Sequence, residues 1–134
     1  MITFDVAWYF SLVIAGVIGV AITTAANLAT TLYLHRGLSH RALTFSRPAR
    51  GAFRLALWLT TGIRPRQWVA VHRKHHAHTD TVEDPHSPVI HGWWKVQVRN
   101  YTMYRRAARD VANTERFAKD LQADRLDRVL FDHA

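Results

Sequence analysis

The sequence predicts an all-α integral membrane protein, with one long transmembrane helix followed by cytosolic and interfacial helices that carry histidine boxes. Two observations predict this class. Residues 6–34 contain no formally charged side chain, whereas a membrane core about 30 Å thick needs roughly 20 apolar residues. All 18 Lys and Arg residues follow His35. We therefore expect residues 1–35 to form the transmembrane helix and residues 36–134 to form the cytosolic and interfacial region.

The distribution of basic residues also predicts the orientation of this helix. A secretory signal peptide begins with basic residues, but no Lys or Arg precedes the apolar run here. We therefore expect the helix to be retained. Arg36, Arg41 and Arg47 follow it closely. Under the positive-inside rule the N-terminus lies outside and the histidines face the cytoplasm.

A first pair of histidines follows the apolar run in the segment HRGLSH at residues 35–40. On an ideal α-helix, residues five apart point about 140° away from each other. His35 and His40 can therefore share one metal ion only where the helix loosens, for example at Gly37, or where the site lies between several helices.

A short apolar segment, Phe53 to Ile63, separates the two groups of histidines. It is too short to span a membrane, and segments of this length are usually buried, re-entrant or interfacial. Turn-forming residues on both sides predict a short helix that returns the chain to the membrane surface.

The second group of histidines lies in residues 68–88, WVAVHRKHHAHTDTVEDPHSP. His72, His75 and His76 have the i, i+3, i+4 spacing that places side chains on one face of a helix. Neutral imidazole binds iron, zinc, copper or nickel, and a chain without cysteine gives no indication of an iron–sulfur cluster. We interpret the group as a metal site; the alternative is a basic helix end that contacts phosphate or water.

The remainder of the chain predicts further helices. Residues 92–106 mix Trp and Tyr with cations, which is typical of an interfacial helix. Residues 113–131 have helical spacing of apolar side chains, and Asp124 with Asp127 resembles a capping pair.

The net charge of +8 allows a nucleic-acid hypothesis, because clustered cations neutralise phosphates. The sequence contains no helix-turn-helix, zinc-finger or RNA-binding signature. The same charge is expected where a membrane protein faces anionic lipid. We therefore expect membrane lipid, and no nucleic acid, as a partner.

Together, HRGLSH, HRKHH and the following EDPHSP resemble the membrane fatty-acyl desaturases of the acyl-CoA (stearoyl-CoA) type. The resemblance includes the pattern HRxxSHR, a tryptophan four residues before the second box, and the motif DPH at residues 84–86. It implies four membrane helices under a cytosolic cap and two irons held by nine histidines. The implied reaction is the O2-dependent introduction of a double bond into an acyl chain, with electrons from a partner redox protein.

The resemblance also implies roles for individual residues. Trp68 would line the path of a fatty acyl substrate carried by CoA or another acyl carrier. His86 would lie in an outer shell around the metal site, and His78 would lie at the surface or on an outer hydrogen bond. The implied iron ligands are His35, His40, His72, His75 and His76. The cations implied near an anionic head group are Arg64, Arg66, Arg73 and Lys74.

Two parts of the family pattern have no counterpart in the sequence. The third box, HxxHH, and a single ligand histidine before it are absent, since only His91 and His133 remain. We therefore expect the sequence to correspond to the N-terminal half of a desaturase and to be inactive alone. The alternative is a non-enzymatic membrane metal-binding protein, which would need no further histidines.

Overall fold

A computed structural model describes residues 6–129, which form helices and turns without any β-strand. The all-α prediction is therefore confirmed for this range. The helices are α1 (Val6–Ala29), a π-helical segment (Thr30–Ser39), α2 (Arg47–Thr61), α3 (Pro65–Ala77), α4 (Pro88–His91), α5 (Trp93–Ala108), α6 (Val111–Phe117) and α7 (Arg125–Val129).

Helix α1 and the π segment form one continuous apolar helix. The stretch Ala7–Ser39 is long and apolar enough to cross a membrane, and most of its side chains are exposed. The predicted long apolar helix is confirmed, and the helix continues past the predicted end at residue 35 to Ser39. This exposed apolar surface suggests insertion into a membrane.

Helix α2 begins at Arg47, six residues before the predicted start at Phe53. Ser46 caps it by accepting a hydrogen bond from the backbone N–H of Ala49 (3.4 Å), and Pro48 lies in the first turn, where proline is well tolerated. It ends at Gly62, whose φ of 62° places it in the left-handed region that favours glycine. The basic residues before Phe53 are therefore helical.

Two small apolar cores place the histidine-bearing helices against each other. In the first core, Leu57 of α2 packs with Tyr33 and Leu34 of the π segment. In the second, Val69 of α3 packs with Ala118, which follows α6. Trp68 contacts both cores. Helix α3 is therefore held next to the π segment on one side and α6 on the other.

The C-terminal region forms two short helices. The apolar spacing over residues 113–131 corresponds to α6 and α7 with a turn between them, and Phe131 lies outside the described residues. The capping pair is confirmed, because the backbone N–H of Asp124 bonds Asp127 Oδ2 (3.0 Å) and that of Asp127 bonds Asp124 Oδ1 (2.9 Å).

Candidate metal centre

The π segment brings the first pair of histidines together. Hydrogen bonds in a π-helix join residues five apart, and the N–H of His40 donates to the carbonyl of His35 at 3.0 Å. The two Nε2 atoms lie 3.1 Å apart. The widened turn is thus the loosening of the helix that the spacing of this pair requires.

Gly37 lies in the middle of this turn because a side chain there would meet Phe45. A Cβ atom at residue 37 would lie 2.7 Å from the ring of Phe45, which itself packs between Tyr33 and Phe53.

We expect Gly37→Ala to destabilise the fold by about 1–3 kcal/mol, because the ring has little room to move. The measurement is chemical unfolding of the purified chain in micelles. Gly51→Ala is the control, since a Cβ at residue 51 meets nothing within 4 Å and alanine favours the helix; equal effects would contradict this role of Gly37.

Helix α3 adds two histidines from the second box to the first pair. His72 Nε2 lies 3.4 Å from His40 Nε2 and 3.1 Å from His76 Nε2. One ring nitrogen from each of His35, His40, His72 and His76 lies within 4.8 Å of the other three. We call these residues the four-histidine group.

The spacing of these nitrogens fits a single metal ion. Nitrogen ligands about 2.0–2.1 Å from one ion, at angles of 90–109°, are separated by about 2.8–3.4 Å. The three measured separations of 3.1, 3.4 and 3.1 Å lie in this range. Hydrogen bonding alone explains the group less well, because Nε2 of His40 faces two other Nε2 atoms and a neutral Nε2 either donates or accepts.

The protonation of the group also suits a metal. Burial, followed by the neighbouring imidazoles, lowers the pKa of His72 to about 3. Burial also lowers the pKa of His76, with His40 and His75 contributing. Both rings are therefore neutral at pH 7, which is the form that binds metals.

His75 belongs to a second group, although its spacing from His72 and His76 predicts that the three histidines share one face of the helix. In His75, Asp84 and His86, one ligand atom of each residue lies within 4.8 Å of the other two. Nδ1 of His75 donates to the carboxylate of Asp84 at 2.9 Å. Since Nδ1 is bonded in this way, Nε2 is the ring nitrogen left for a metal.

Asp84 orients His75 and is poorly placed to bind a metal itself. Its buried carboxylate also accepts the backbone N–H groups of Asp80 and His86, each at 3.0 Å. Burial alone would raise the pKa of Asp84, but the hydrogen bonds from His75 and the two N–H groups hold that pKa below its usual value. The carboxylate is therefore charged, and both of its oxygens accept hydrogen bonds from the protein.

His86 lies face to face with His75. The ring centroids are 4.7 Å apart and the planes differ by 20°. Burial lowers the pKa of His86, and its buried Nδ1 has no hydrogen-bond partner within residues 6–129. His78 lies apart from both groups, 3.4 Å from Glu83.

Trp68 stacks on His72 beside a cavity of about 540 Å³. The ring centroids of Trp68 and His72 are 4.7 Å apart at 14°. His86 and Tyr104 also line this cavity. Burial raises the pKa of Tyr104 to about 12, against the opposing positive charges of Arg105 and Arg64. The cavity therefore lies next to His72 of the four-histidine group, and neutral side chains line it.

The four cations that the resemblance implied near a head group lie in different surroundings. Arg64 and Arg66 line a separate cavity of about 840 Å³, and Nε of Arg66 is buried without a partner among the described residues. Lys74 instead donates to Asn113 at 3.0 Å. Every N–H donor of Arg73 is bonded to the protein.

The fold and the site together define a helical protein with a membrane-length apolar helix and a histidine site that fits a metal ion. The family model for fatty acid desaturases matches residues 10–132. The chain belongs to the fatty acid desaturase family, as the histidine boxes predicted. No solved structure matches the chain.

Several desaturases are similar to this chain. An sn-1 stearoyl-lipid 9-desaturase of Anabaena variabilis is 32% identical over 86% of the chain and 41% of the relative's length. A Delta-9 desaturase-like 5 protein of Arabidopsis thaliana is 33% identical over 69% of the chain and 32% of the relative. An acyl-CoA C20 Delta5-desaturase of Anemone leveillei is 42% identical over 48% of the chain and 20% of the relative. The chain therefore spans less than half the length of these relatives.

Proposed function

We propose that this chain supplies part of the centre of a fatty-acyl desaturase, which introduces a double bond into an acyl chain with O2. The observation that carries this proposal is the convergence of nitrogens from both histidine boxes in a member of the desaturase family. The names of the relatives, which include acyl-CoA and lipid desaturases, support an acyl substrate.

In this proposal the centre holds two irons. The four-histidine group holds one of them, and Nε2 of His75 contributes to the other. Iron with O2 supplies the oxidising power to remove two hydrogens from adjacent methylenes, which no acid–base group could do. Asp84 fixes the ring of His75, since a hydrogen bond to the second nitrogen sets the tautomer and orientation of a ligand histidine.

Trp68 and the cavity beside His72 position the acyl chain and exclude water from it. Arg64 and Arg66 are our candidates for the anionic head group, and the charge of Arg64 acts on Tyr104 of the cavity wall. The N-terminus lies outside, the histidines face the cytoplasm, and a redox protein delivers the electrons.

The experiment that tests this function is a chimera, in which this chain replaces the matching region of a relative. The Anabaena relative matches this chain over 117 residues, so that region can be replaced by ours and expressed in a desaturase-deficient membrane. We expect double bonds by gas chromatography from the chimera, none from its His72→Ala variant, and an unchanged yield from His78→Ala. The 134-residue chain alone should form no double bond, because it carries five of the nine ligands that the family uses.

Two results would contradict the proposal. One is a chimera that accumulates in the membrane at the level of the relative but forms no double bond. The other is an unchanged product yield from the His72→Ala chimera. Double bonds formed by the chain alone would contradict only its expected inactivity.

A second candidate function is non-enzymatic binding of one metal ion in a membrane. It is favoured by the four-histidine group, which is complete within residues 6–129. This function needs no second iron, so it predicts one ion per chain and an inactive chimera. The chimera therefore separates the two candidates.

A further inference from the structure

Arg73 connects the two histidine boxes. It follows His72 on α3, and successive residues of a helix point about 100° apart, so its guanidinium points away from the metal group. A guanidinium has five N–H donors, and the protein satisfies all of them. The bonds are Nη2 to Leu38 O (2.8 Å), Nε to Ser39 O (3.3 Å), Nη1 to Phe117 O (2.9 Å), Nη1 to Asp120 Oδ1 (2.6 Å) and Nη2 to Asp120 Oδ2 (3.2 Å).

Two of these acceptors determine the position of His40. Leu38 and Ser39 close the π segment, where the last carbonyls of a helix have no partner inside it. They directly precede His40, whose Nε2 lies 3.4 Å from that of His72. Arg73 therefore fastens the backbone that carries His40 to the helix that carries His72.

Asp120 in turn holds Arg73 in this orientation. Its carboxylate accepts both terminal nitrogens of Arg73 and, at 2.7 Å, Nη2 of Arg41. The hydrogen bond from Arg73, aided by Arg41 and opposed by burial, keeps the pKa of Asp120 well below its usual value. Arg41 has a φ of 54°, a backbone conformation that residues other than glycine rarely adopt. The contact with Asp120 thus secures the turn directly after His40.

We propose that Arg73 and Asp120 are positioning residues that hold the two histidine boxes at metal-binding distance. This inference rests on the proposed function, since it concerns the same four-histidine group. It gives residues 117–120, which contain no histidine, a part in assembling the centre. A lysine cannot replace Arg73, because an ammonium is a point charge without the planar fork that reaches three carbonyls and a carboxylate together.

The test measures Co²⁺ binding to the 134-residue chain in micelles, followed by the visible absorption of the ion. We expect Arg73→Lys to weaken Co²⁺ affinity by about tenfold or more, as loss of groups that orient metal ligands does. Asp120→Asn should weaken it similarly. The double variant should be no weaker than the worse single variant, because the two residues act as a unit.

Arg54→Lys is the matched control. Arg54 also bonds an aspartate with both terminal nitrogens, at 2.7 and 2.9 Å from Asp124, but it lies on α2, which carries no histidine. It should lower stability while leaving Co²⁺ affinity unchanged. Equal losses of affinity in the Arg54 and Arg73 variants would show a merely structural role and overturn the proposal.

The remaining outcomes are also decisive. Wild-type affinity in folded Arg73→Lys or Asp120→Asn would overturn the positioning role and leave the proposed function intact. If Arg73→Lys does not fold, Asp120→Asn decides alone. A wild-type chain that binds no Co²⁺ would contradict the proposed metal site and the positioning role with it.

Discussion

Replacing His72 by alanine is expected to lower the affinity of the chain for Co²⁺ by about a hundredfold. His72 is central to the four-histidine group, because its Nε2 contacts those of both His40 and His76. Four-ligand zinc sites bind with roughly 10–16 kcal/mol, or about 3 kcal/mol per ligand, and 1.4 kcal/mol corresponds to a factor of ten. Titration at pH 7, where His72 and His76 are neutral, measures this loss.

His75→Ala is the informative comparison, because His75 belongs to the same box. Its ring is bonded to Asp84 outside the four-histidine group, so the affinity for the first Co²⁺ ion should change less than threefold. His78→Ala should be similarly neutral. Equal losses from His72→Ala and His75→Ala would show that His75 also binds the first ion and that the division into two groups is wrong.

Replacing Asp84 by asparagine is expected to lower the free energy of unfolding by roughly 2–4 kcal/mol. The change removes a buried charge that accepts one imidazole and two backbone N–H groups, and it places an amide donor against these donors. Unfolding in denaturant, followed by tryptophan fluorescence, gives the difference. Glu83→Gln is the control, because the exposed side chain of Glu83 lies 3.4 Å from His78 and the loss of this exposed contact should cost under about 0.5 kcal/mol.

The contribution of Asp84 to the free energy of unfolding should also depend on pH. Because folding lowers the pKa of Asp84, its contribution is fully present above the unfolded pKa of about 3.9 and is lost as the pH falls through the lower folded pKa. The difference between wild type and Asp84→Asn should be constant from pH 5 to 8 and should shrink below about pH 4. A difference that grows on acidification would contradict this assignment.

The sequence predicted those elements whose signals are local. The uncharged run before His35 predicted the long apolar helix, and the Asp124 and Asp127 spacing predicted a cap that the backbone hydrogen bonds confirm. It also identified the family from the two histidine boxes. The start of α2 at Arg47 was not predicted because apolar spacing begins later than the cap at Ser46.

The arrangement of the site depends on contacts that local patterns do not contain. The spacing of His35 and His40 indicated that the helix must loosen, but it did not reveal that Phe45 packs against this turn, where a Cβ at residue 37 would lie 2.7 Å from its ring. Helical spacing placed His75 on one face with His72 and His76. It did not reveal that the ring of His75 bonds the buried carboxylate of Asp84, nine residues later. The role of Asp120 depends on a contact with Arg73 across 47 residues, which no spacing rule reveals.

The most direct test of the four-histidine group is X-ray absorption on the chain loaded with one Co²⁺ or Fe²⁺ ion. We expect four imidazole nitrogens at about 2.0–2.1 Å, with the outer-shell scattering that imidazole rings give. His72→Ala should remove one of these nitrogens. A first shell of water or carboxylate oxygens with two or fewer imidazoles would contradict the account, because the ion would then lie outside the site that the two histidine boxes form.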